Sequence, residues 1–327
     1  MPSNSEFIVT VQQEVQRFCG AGSHNSFRSG IRKALPHLAM IVTRQPVSLN
    51  SLSERVAGVL FSPGTDGHFP AMIVCHAASE FKENYFELCE RLAERGVVAL
   101  AIDMHGHGES EGERFHVNMQ QWVADVRAAV EFLSAHPNVG TGRIGAFGLS
   151  SGGTAILEAA LVEPRLKALV ALDATVRNSM PWIFAVLLKG LILLGRVKKR
   201  LTNRDLRLSM VKMMEGIKMA ADPEVERRVR TNCKFLEALN SFPLPGAAHS
   251  FFVNTIERVS GITIPTLVLW GEEDQLDSPE TARLLYNALI CKKQLHIIPG
   301  NGHVGHLDKN RNQVFTLTAD WALENLA

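Results

Sequence analysis

The sequence of 327 residues predicts an α/β fold: a mostly parallel, doubly wound sheet with an inserted helical cap. Three observations lead to this prediction. Short apolar strands alternate with amphipathic helices, which is typical of a parallel sheet covered on both faces. The alternation stops once, over residues 176–257, where only helical spacing is visible. The apolar run at residues 143–147 passes through a glycine-containing turn into a helix-like stretch.

The first part of the chain contains three predicted strands and two predicted helices. Residues 54–62 alternate between polar and apolar side chains, as a strand with one buried face does. Residues 70–75 and 97–102 are short, wholly apolar runs, which are typical of strands buried on both faces. Residues 82–95 and 117–135 have apolar side chains three or four positions apart, which predicts amphipathic helices.

The second part of the chain continues this alternation around the interruption. Apolar strands are predicted at residues 166–172, 266–270 and 294–298, and a last helix at residues 311–325. The predicted divisions are an N-terminal extension at residues 1–45, in which a helix would run from Ser3 to Gly20, a core at 46–175 and 258–327, and a cap at 176–257.

Two segments of the predicted cap are apolar. Residues 180–194 are apolar apart from one lysine, and four basic residues follow between 196 and 200. A buried lid helix is the favoured interpretation, and an interfacial or membrane-spanning helix is the alternative. Met210, Met213 and Met214 lie at helical spacing. Methionine is flexible, so these three are candidates for lining an adaptable apolar pocket, with a simple core stripe as the alternative.

The composition excludes several classes of protein. The net charge is +1, and no basic surplus points to a nucleic-acid partner. None of the five cysteines forms a Cys-x-x-Cys pair, which predicts free thiols in a reducing compartment instead of a disulfide framework or a zinc ribbon. The first residues lack the basic and apolar regions of a signal peptide, so a cytoplasmic location is predicted.

The turn at residues 148–152 reads Gly-Leu-Ser-Ser-Gly. A strand, a sharp turn with a glycine two positions before and after a serine, and a helix together form a nucleophile elbow. Gly148 and Gly152 lack the β-carbons that would collide where the strand and the helix approach each other. Ser150 is therefore the candidate nucleophile, and the N-terminus of the next helix would favour a developing negative charge.

A serine hydroxyl needs a base to take its proton, and the base needs a carboxylate to orient it. In elbow proteins these groups follow in the order serine, acid, histidine, and they lie on loops at the carboxyl ends of strands. Asp274 and His303 occupy two such loops, after the strands that end at residues 270 and 298. They are the predicted acid and base. The alternatives are Glu273, Asp277 and Asp173 for the acid, and His306 for the base.

An oxyanion needs two backbone N–H donors. The first predicted donor is Ser151, the residue after the nucleophile. The second is predicted in the loop at residues 76–79, where Ala78 is preferred and Ala77 is the alternative.

These motifs together resemble those of the α/β-hydrolase superfamily, near its carboxylesterase, monoacylglycerol lipase and serine aminopeptidase-like branch. The resemblance covers about residues 54–175 and 260–327. In that family the insertion after the sixth strand is a helical cap over the active site. The family has His-Gly where this chain has His76-Ala77, which implies a different shape for the oxyanion loop. The matching segments are His76, residues 103–110 and 148–152, residues 271–274 with Pro279, and Gly302 with His303.

The resemblance and the motifs imply a serine hydrolase that cleaves carboxylic esters with an apolar acyl or alkyl part through an acyl-enzyme intermediate. No cofactor and no metal are expected. The alternatives are a thioesterase, amidase or acyltransferase with the same triad, and a non-catalytic binding protein with this fold. The expected partner is a small apolar ester; weak contact of the cap with a membrane surface and a homodimer are the further partners considered.

Three other motifs suggest different functions. The acidic and histidine residues between Asp103 and Glu111 suggest a metal site, but the closing Asp-His of a metallohydrolase loop is absent. Residues 140–145 match Gly-x-Gly-x-x-Gly but precede a strand, so dinucleotide binding is not predicted. His303 and Asp308 match a glycerolipid acyltransferase pattern that competes for a histidine already assigned.

Overall fold

The computed structural model describes residues 41–177 and 180–326. Its main sheet has eight strands: β1 (Val42–Ser51), β2 (Glu54–Pro63), β3 (Phe69–Cys75), β4 (Val98–Ile102), β5 (Val139–Leu149), β6 (Leu166–Leu172), β9 (Thr266–Gly271) and β10 (Lys293–Ile298). Their order across the sheet is β1-β2-β4-β3-β5-β6-β9-β10. Strand β2 pairs antiparallel with β1 and β4, and the other pairs are parallel.

Helices cover both faces of this sheet. They are α1 (Phe86–Glu94), α2 (Met119–Ala135), α3 (Ser151–Ala160), α8 (Pro279–Ala288) and α9 (Arg311–Asn325). Alternate residues of β3 show the two faces, since Ile73 belongs to the core beneath α2, α3 and α8, and Met72 and Val74 to the core beneath α1 and α9. Each fully buried side chain of this size contributes about 2 kcal/mol. The predicted doubly wound, mostly parallel sheet is confirmed.

Strand β1 corrects the predicted start of the core. It begins at Val42, within the segment predicted as an N-terminal extension, and it lies at the edge of the sheet. Most of its side chains are exposed, so it lacks the apolar run that predicts the inner strands. Pro46 is compatible with an edge strand because a proline has no N–H to donate to a second neighbour.

The described residues between β6 and β9 form four α-helices, three short 3₁₀ helices and a small sheet. The α-helices are α4 (Trp182–Thr202), α5 (Val211–Met214), α6 (Pro223–Thr231) and α7 (Cys233–Asn240). Strands β7 (Leu206–Leu208) and β8 (Phe242–Leu244) pair antiparallel. The prediction that this segment contains no strand is therefore wrong. Three residues are too few to show the alternation by which a strand is predicted from sequence.

Helix α4 is not the buried lid helix that the sequence favours. Only Ile192 and Gly195 of its residues are buried, and most of its apolar side chains face solvent. Within residues 41–177 and 180–326, no helix combines the length and the apolar character needed to cross a membrane.

The cysteines agree with the prediction of free thiols where they are described. Cys75, Cys89, Cys233 and Cys291 form no disulfide. Cys19 and the helix predicted from Ser3 to Gly20 lie outside the described residues.

Candidate active site

Ser150 lies in a strained turn between β5 and α3. Its φ of 51° and ψ of −117° are uncommon for a residue with a side chain, and such strain is concentrated at functional sites. A β-carbon at Gly148 would lie 2.3 Å from the carbonyl oxygen of Gly152, and one at Gly152 would lie 2.5 Å from that of His76. Both positions therefore require glycine, and this confirms the steric role predicted for them.

The predicted acid and base are hydrogen-bonded to each other. His303 Nδ1 and Asp274 Oδ2 are 2.9 Å apart, and both residues are buried. The other carboxylate oxygen of Asp274 accepts backbone N–H groups from Leu276 at 2.8 Å and from Asp277 at 3.1 Å. The carboxylate is thus held in place, and since His303 donates from Nδ1, its Nε2 is left as the nitrogen that can accept a proton.

The charge around His303 favours its protonated form. Burial alone would lower the pKa of the imidazole, but the charge and the hydrogen bond of Asp274 raise it above the ordinary value, and Asp173 and Asp277 act in the same direction. We conclude that the pocket stabilises an imidazolium at this position, which is the form that a base reaches when it accepts a proton.

Ser150 and His303 line one cavity of about 280 Å³. In the structure the Ser150 hydroxyl makes its hydrogen bond to Thr175, with 3.3 Å between Oγ and Oγ1. Thr175 in turn donates to Asp277 Oδ2 at 2.8 Å. A threonine hydroxyl has one proton, so while it donates to Asp277 the serine must be the donor to Thr175.

Thr175 is a residue of the site that the sequence motifs did not indicate. It lies three residues after the end of β6, and β6 is the direct neighbour of the elbow strand β5. Side chains at the carboxyl ends of adjacent parallel strands meet at one edge, and this adjacency could have identified it. Asp277, which accepts the hydrogen bond of Thr175, is buried. Burial, with a smaller contribution from the charge of Asp274, raises the pKa of Asp277 to about 6. His303 and the hydrogen bond from Thr175 act in the opposite direction.

The other candidates for acid and base have different surroundings. Asp173 accepts the Gly271 N–H at 2.7 Å, and burial followed by the charge of Asp274 raises its pKa well above the ordinary value. Glu273 is exposed. The ring of His306 stacks on Tyr85 with 4.2 Å between centroids. Among these alternatives, only Asp277 reaches the cavity within the described residues.

The predicted oxyanion loop is held by buried histidines. His76 accepts the Met104 N–H on Nε2 at 2.9 Å, so its Nδ1 carries the proton and donates to the Ala77 carbonyl at 2.7 Å. Ala77 and Ala78 line the cavity, as does Ser151. Of the described residues with positive φ, none lies in this loop. The alanine at position 77, where the related family has glycine, therefore carries no backbone penalty.

The side chains that suggested a metal site have other partners. Asp103 Oδ2 accepts the buried Lys82 ammonium at 2.6 Å, and Glu109 accepts the same group at 2.6 Å. His105 binds Asp125 through Nδ1 and lies 3.0 Å from Glu54 through Nε2. These contacts hold the loop after β4 in shape.

The comparisons with known proteins agree with this architecture. The family model described as "Serine aminopeptidase, S33" matches residues 68–310, which is more than half of the chain. The chain belongs to this family.

Relatives of this S33 family member include two curated proteins of similar length. A monoacylglycerol lipase of Mycolicibacterium smegmatis is 22% identical over 274 residues, which cover 83% of this chain and 94% of the lipase. The polyketide transferase ATR5 of Stachybotrys chlorohalonatus is 23% identical over 288 residues, which cover 84% of this chain and 95% of the transferase. The crystal structure of the α/β hydrolase GrgF from Penicillium sp. superimposes with a TM-score of 0.75 at 20% identity, covering 87% of this chain and 99% of GrgF. The fold is thus an α/β-hydrolase fold.

The cap of this S33 family member contributes most of the apolar lining. The predicted Met210, Met213 and Met214 all line the cavity, and Met180 and Met219, which were not predicted, line it too. The predicted helical stripe is only partly helical, since α5 is a single turn. These methionines come from separate cap segments, at residue 180, at residues 210–214 and at residue 219, so their spacing along the sequence does not show that they share one cavity.

Proposed function

We propose that this protein hydrolyses carboxylic esters with an apolar acyl or alkyl part, with Ser150 as nucleophile, His303 as base and Asp274 as the acid that orients it. One observation carries the proposal: the strained serine and the histidine that is hydrogen-bonded to Asp274 line the same apolar cavity. Membership of the S33 family and the likeness to a monoacylglycerol lipase support a hydrolase in general.

The reaction begins when the Ser150 hydroxyl turns from Thr175 toward His303 Nε2. Ser150 Oγ attacks the ester carbonyl while its proton passes to His303, and the oxyanion accepts the N–H groups of Ser151 and Ala78. His303 then gives the proton to the departing alkoxide, which leaves as an alcohol, and an acyl-enzyme remains. Water attacks the acyl carbon, with His303 taking its proton and returning it to Ser150, so the products are an alcohol and a carboxylic acid.

The lining of the cavity supports the proposed substrate class. Five methionines and several aromatic and aliphatic side chains line the cavity together with Ser150, and Thr175 and Asp277 are among its polar lining residues. Flexible methionines adapt to apolar chains of varied shape. A homodimer and a cytoplasmic location remain predictions, and neither is needed for the chemistry at Ser150.

The Ser150→Ala variant tests the proposal. We expect a loss of at least about 10⁴-fold in kcat/KM for p-nitrophenyl esters, with an unchanged fold by circular dichroism. Ser151→Ala is the matched control, because it keeps the backbone N–H and should retain most activity. A fully active Ser150→Ala variant would contradict the assignment of Ser150 as the nucleophile. A native protein that neither cleaves these esters nor reacts with a fluorophosphonate probe would contradict the proposal and favour a binding protein. Rates of hydrolysis measured over esters of increasing acyl length then define the preferred acyl chain length.

Transfer of the acyl group to an alcohol is a second candidate, supported by the likeness to a protein named a polyketide transferase. The acyl-enzyme would form in the same way and be opened by an alcohol instead of water. Product analysis with a competing alcohol separates the two, because hydrolysis gives the free acid and transfer gives a new ester. Thioesters and amides tested in the same assay identify the bond that is cleaved.

A further inference from the structure

Helix α4 presents a large apolar surface to solvent. Ten of the sixteen exposed large apolar side chains within residues 41–177 and 180–326 lie on this one helix, and Trp182 is 75% exposed. A continuous exposed apolar surface of this kind marks a contact site. The ten are Trp182, Ile183, Phe184, Val186, Leu187, Leu191, Leu193, Leu194, Val197 and Leu201.

Within residues 41–177 and 180–326, a narrow stripe packs this helix against the rest of the fold. Leu188 and Ile192 belong to an apolar cluster with strands β7 and β8 and the segment after β8, and a β-carbon at Gly195 would lie 2.5 Å from the Leu244 carbonyl oxygen. The spacing of these three residues, four and then three, is that of one helix face. Most of the remaining circumference of α4 is exposed in the described part of the chain.

The charge of this surface is of one sign. From Ala174 to Arg204 the chain has no aspartate or glutamate. The last two turns of α4 contain Arg196, Lys198 and Arg200, all exposed, next to the apolar part of the helix. Lys199 points elsewhere, toward Glu113 and Asp205. An apolar face combined with a cluster of basic residues is the pattern of a helix that lies in the interface of an anionic membrane.

We propose that helix α4 docks this protein on an anionic lipid surface. The helix lies in the plane of the interface, its apolar side chains enter the boundary between headgroups and acyl chains, and its basic residues contact lipid phosphates. With 21 residues, α4 is about 30 Å long. A second copy that met this surface with its own α4 would offer no acidic partner for the basic residues, because residues 174–204 contain no aspartate or glutamate, whereas an anionic lipid surface does offer one.

The docking surface is connected to the cavity. Met180, which lines the cavity, precedes α4 by two residues. Phe242 belongs to the apolar cluster that packs against α4 and also lines the cavity. Docking would therefore hold the cap side of the cavity near the lipid. If the protein is the ester hydrolase proposed above, an apolar ester could pass from the lipid to Ser150, but docking itself does not depend on that function.

Sedimentation of the full chain with vesicles tests the docking. We expect the protein to bind vesicles of phosphatidylcholine and phosphatidylglycerol at least about tenfold more tightly than vesicles of phosphatidylcholine alone, and to lose this preference in about 0.5 M NaCl. Phe184→Ser with Leu187→Ser, and separately Lys198→Gln with Arg200→Gln, should each weaken binding to the anionic vesicles about tenfold or more. All four side chains are on α4 outside the packed stripe, so thermal unfolding should show little change.

Two control variants show whether binding is specific to α4. Val162→Ser with Ile290→Ser removes two apolar side chains that are also exposed but lie elsewhere, and it should bind vesicles like the wild type. Ser150→Ala should also bind like the wild type, so a failure of the proposed chemistry would not affect the result. Equal loss of binding in the Val162/Ile290 control, or no binding to anionic vesicles, overturns the proposal. The proposal is also overturned if the wild type does not bind vesicles, is a dimer, and becomes a monomer in the Phe184/Leu187 variant. That result would assign the surface to a second copy of the chain.

Discussion

Gly148 in the elbow and Gly190 in helix α4 show how differently the two parts of this molecule are built. A β-carbon at Gly148 would collide with the backbone at 2.3 Å, whereas one at Gly190 would meet nothing within 4 Å. The elbow lies where a strand, a helix and the oxyanion loop converge, so each atom there is positioned by several neighbours. Helix α4 is positioned by one stripe. The candidate chemistry therefore occupies the crowded core, and the contacts with apolar partners that we propose use the less constrained cap.

The largest expected effect comes from crowding the elbow. Gly148→Ala forces the turn apart, because its new methyl group overlaps backbone atoms that cannot rotate away. We expect a loss of activity of about 10³-fold or more and a destabilisation of about 3 kcal/mol. Esterase kinetics and urea unfolding measure the two effects. A Gly148→Ala variant with normal activity would mean that the elbow accepts an added β-carbon as readily as helix α4 does at Gly190.

A change in the pH profile of kcat/KM is expected when Asp277 is substituted. His303 must be neutral to accept the proton, so activity should fall as the pH drops through its raised pKa. Asp277 is ionised above its own pKa of about 6 and stabilises the imidazolium. Asp277→Asn removes that charge, so the pKa of His303 should fall and the acid limb of kcat/KM should move to lower pH by about one unit.

The control for this shift is Glu273→Gln, because Glu273 belongs to the same loop but is exposed. Water and salt screen an exposed charge, so the acid limb should move much less. An equal shift in both variants would mean that long-range charge, and not the position of Asp277 beside Thr175, sets the pKa of His303.

A smaller effect is expected from the cap lining. Met214→Ala enlarges the cavity without touching the groups that react, so KM for long-chain esters should rise about threefold to tenfold while kcat stays within about twofold. Rates over a series of acyl lengths measure this change, and Lys212→Ala in the same short helix is the control. An equal fall in kcat for all chain lengths would show that the cap positions the reacting groups.

The smallest expected effect is at Gly190. Alanine has a higher helix propensity than glycine, and the site is open, so Gly190→Ala should stabilise helix α4 by about 0.5–1 kcal/mol. Thermal unfolding measures it, and activity should not change. Destabilisation would indicate that another surface covers Gly190. The elbow and helix α4 would then differ less in how closely their glycines are packed.

Much of the candidate site could be predicted because its requirements are local or topological. The elbow needs two glycines around a serine, and the loops of Asp274 and His303 follow apolar strands whose carboxyl ends must share one edge. Thr175 could be placed at this edge once the strand order is known, but its hydrogen bond with Ser150 could not be predicted from the sequence. It depends on which strand lies beside β5 and on the side-chain rotamers in the finished cavity, and neither is encoded in a periodic pattern.

The sequence by itself determined the alternation of strands and helices in the core, the turn at Ser150 and the chain order of the serine, acid and histidine. Hydrophobic periodicity and the steric requirement for glycine involve only a few neighbouring residues. Both can therefore be recognised in the sequence without knowing which elements pack against those residues. Only the tertiary structure decided that Val42–Ser51 joins the sheet as an edge strand, that Met180 and Met219 reach the cavity, and that helix α4 stays exposed. The sequence of an apolar helix does not state whether other elements bury it, because burial depends on how the whole chain packs.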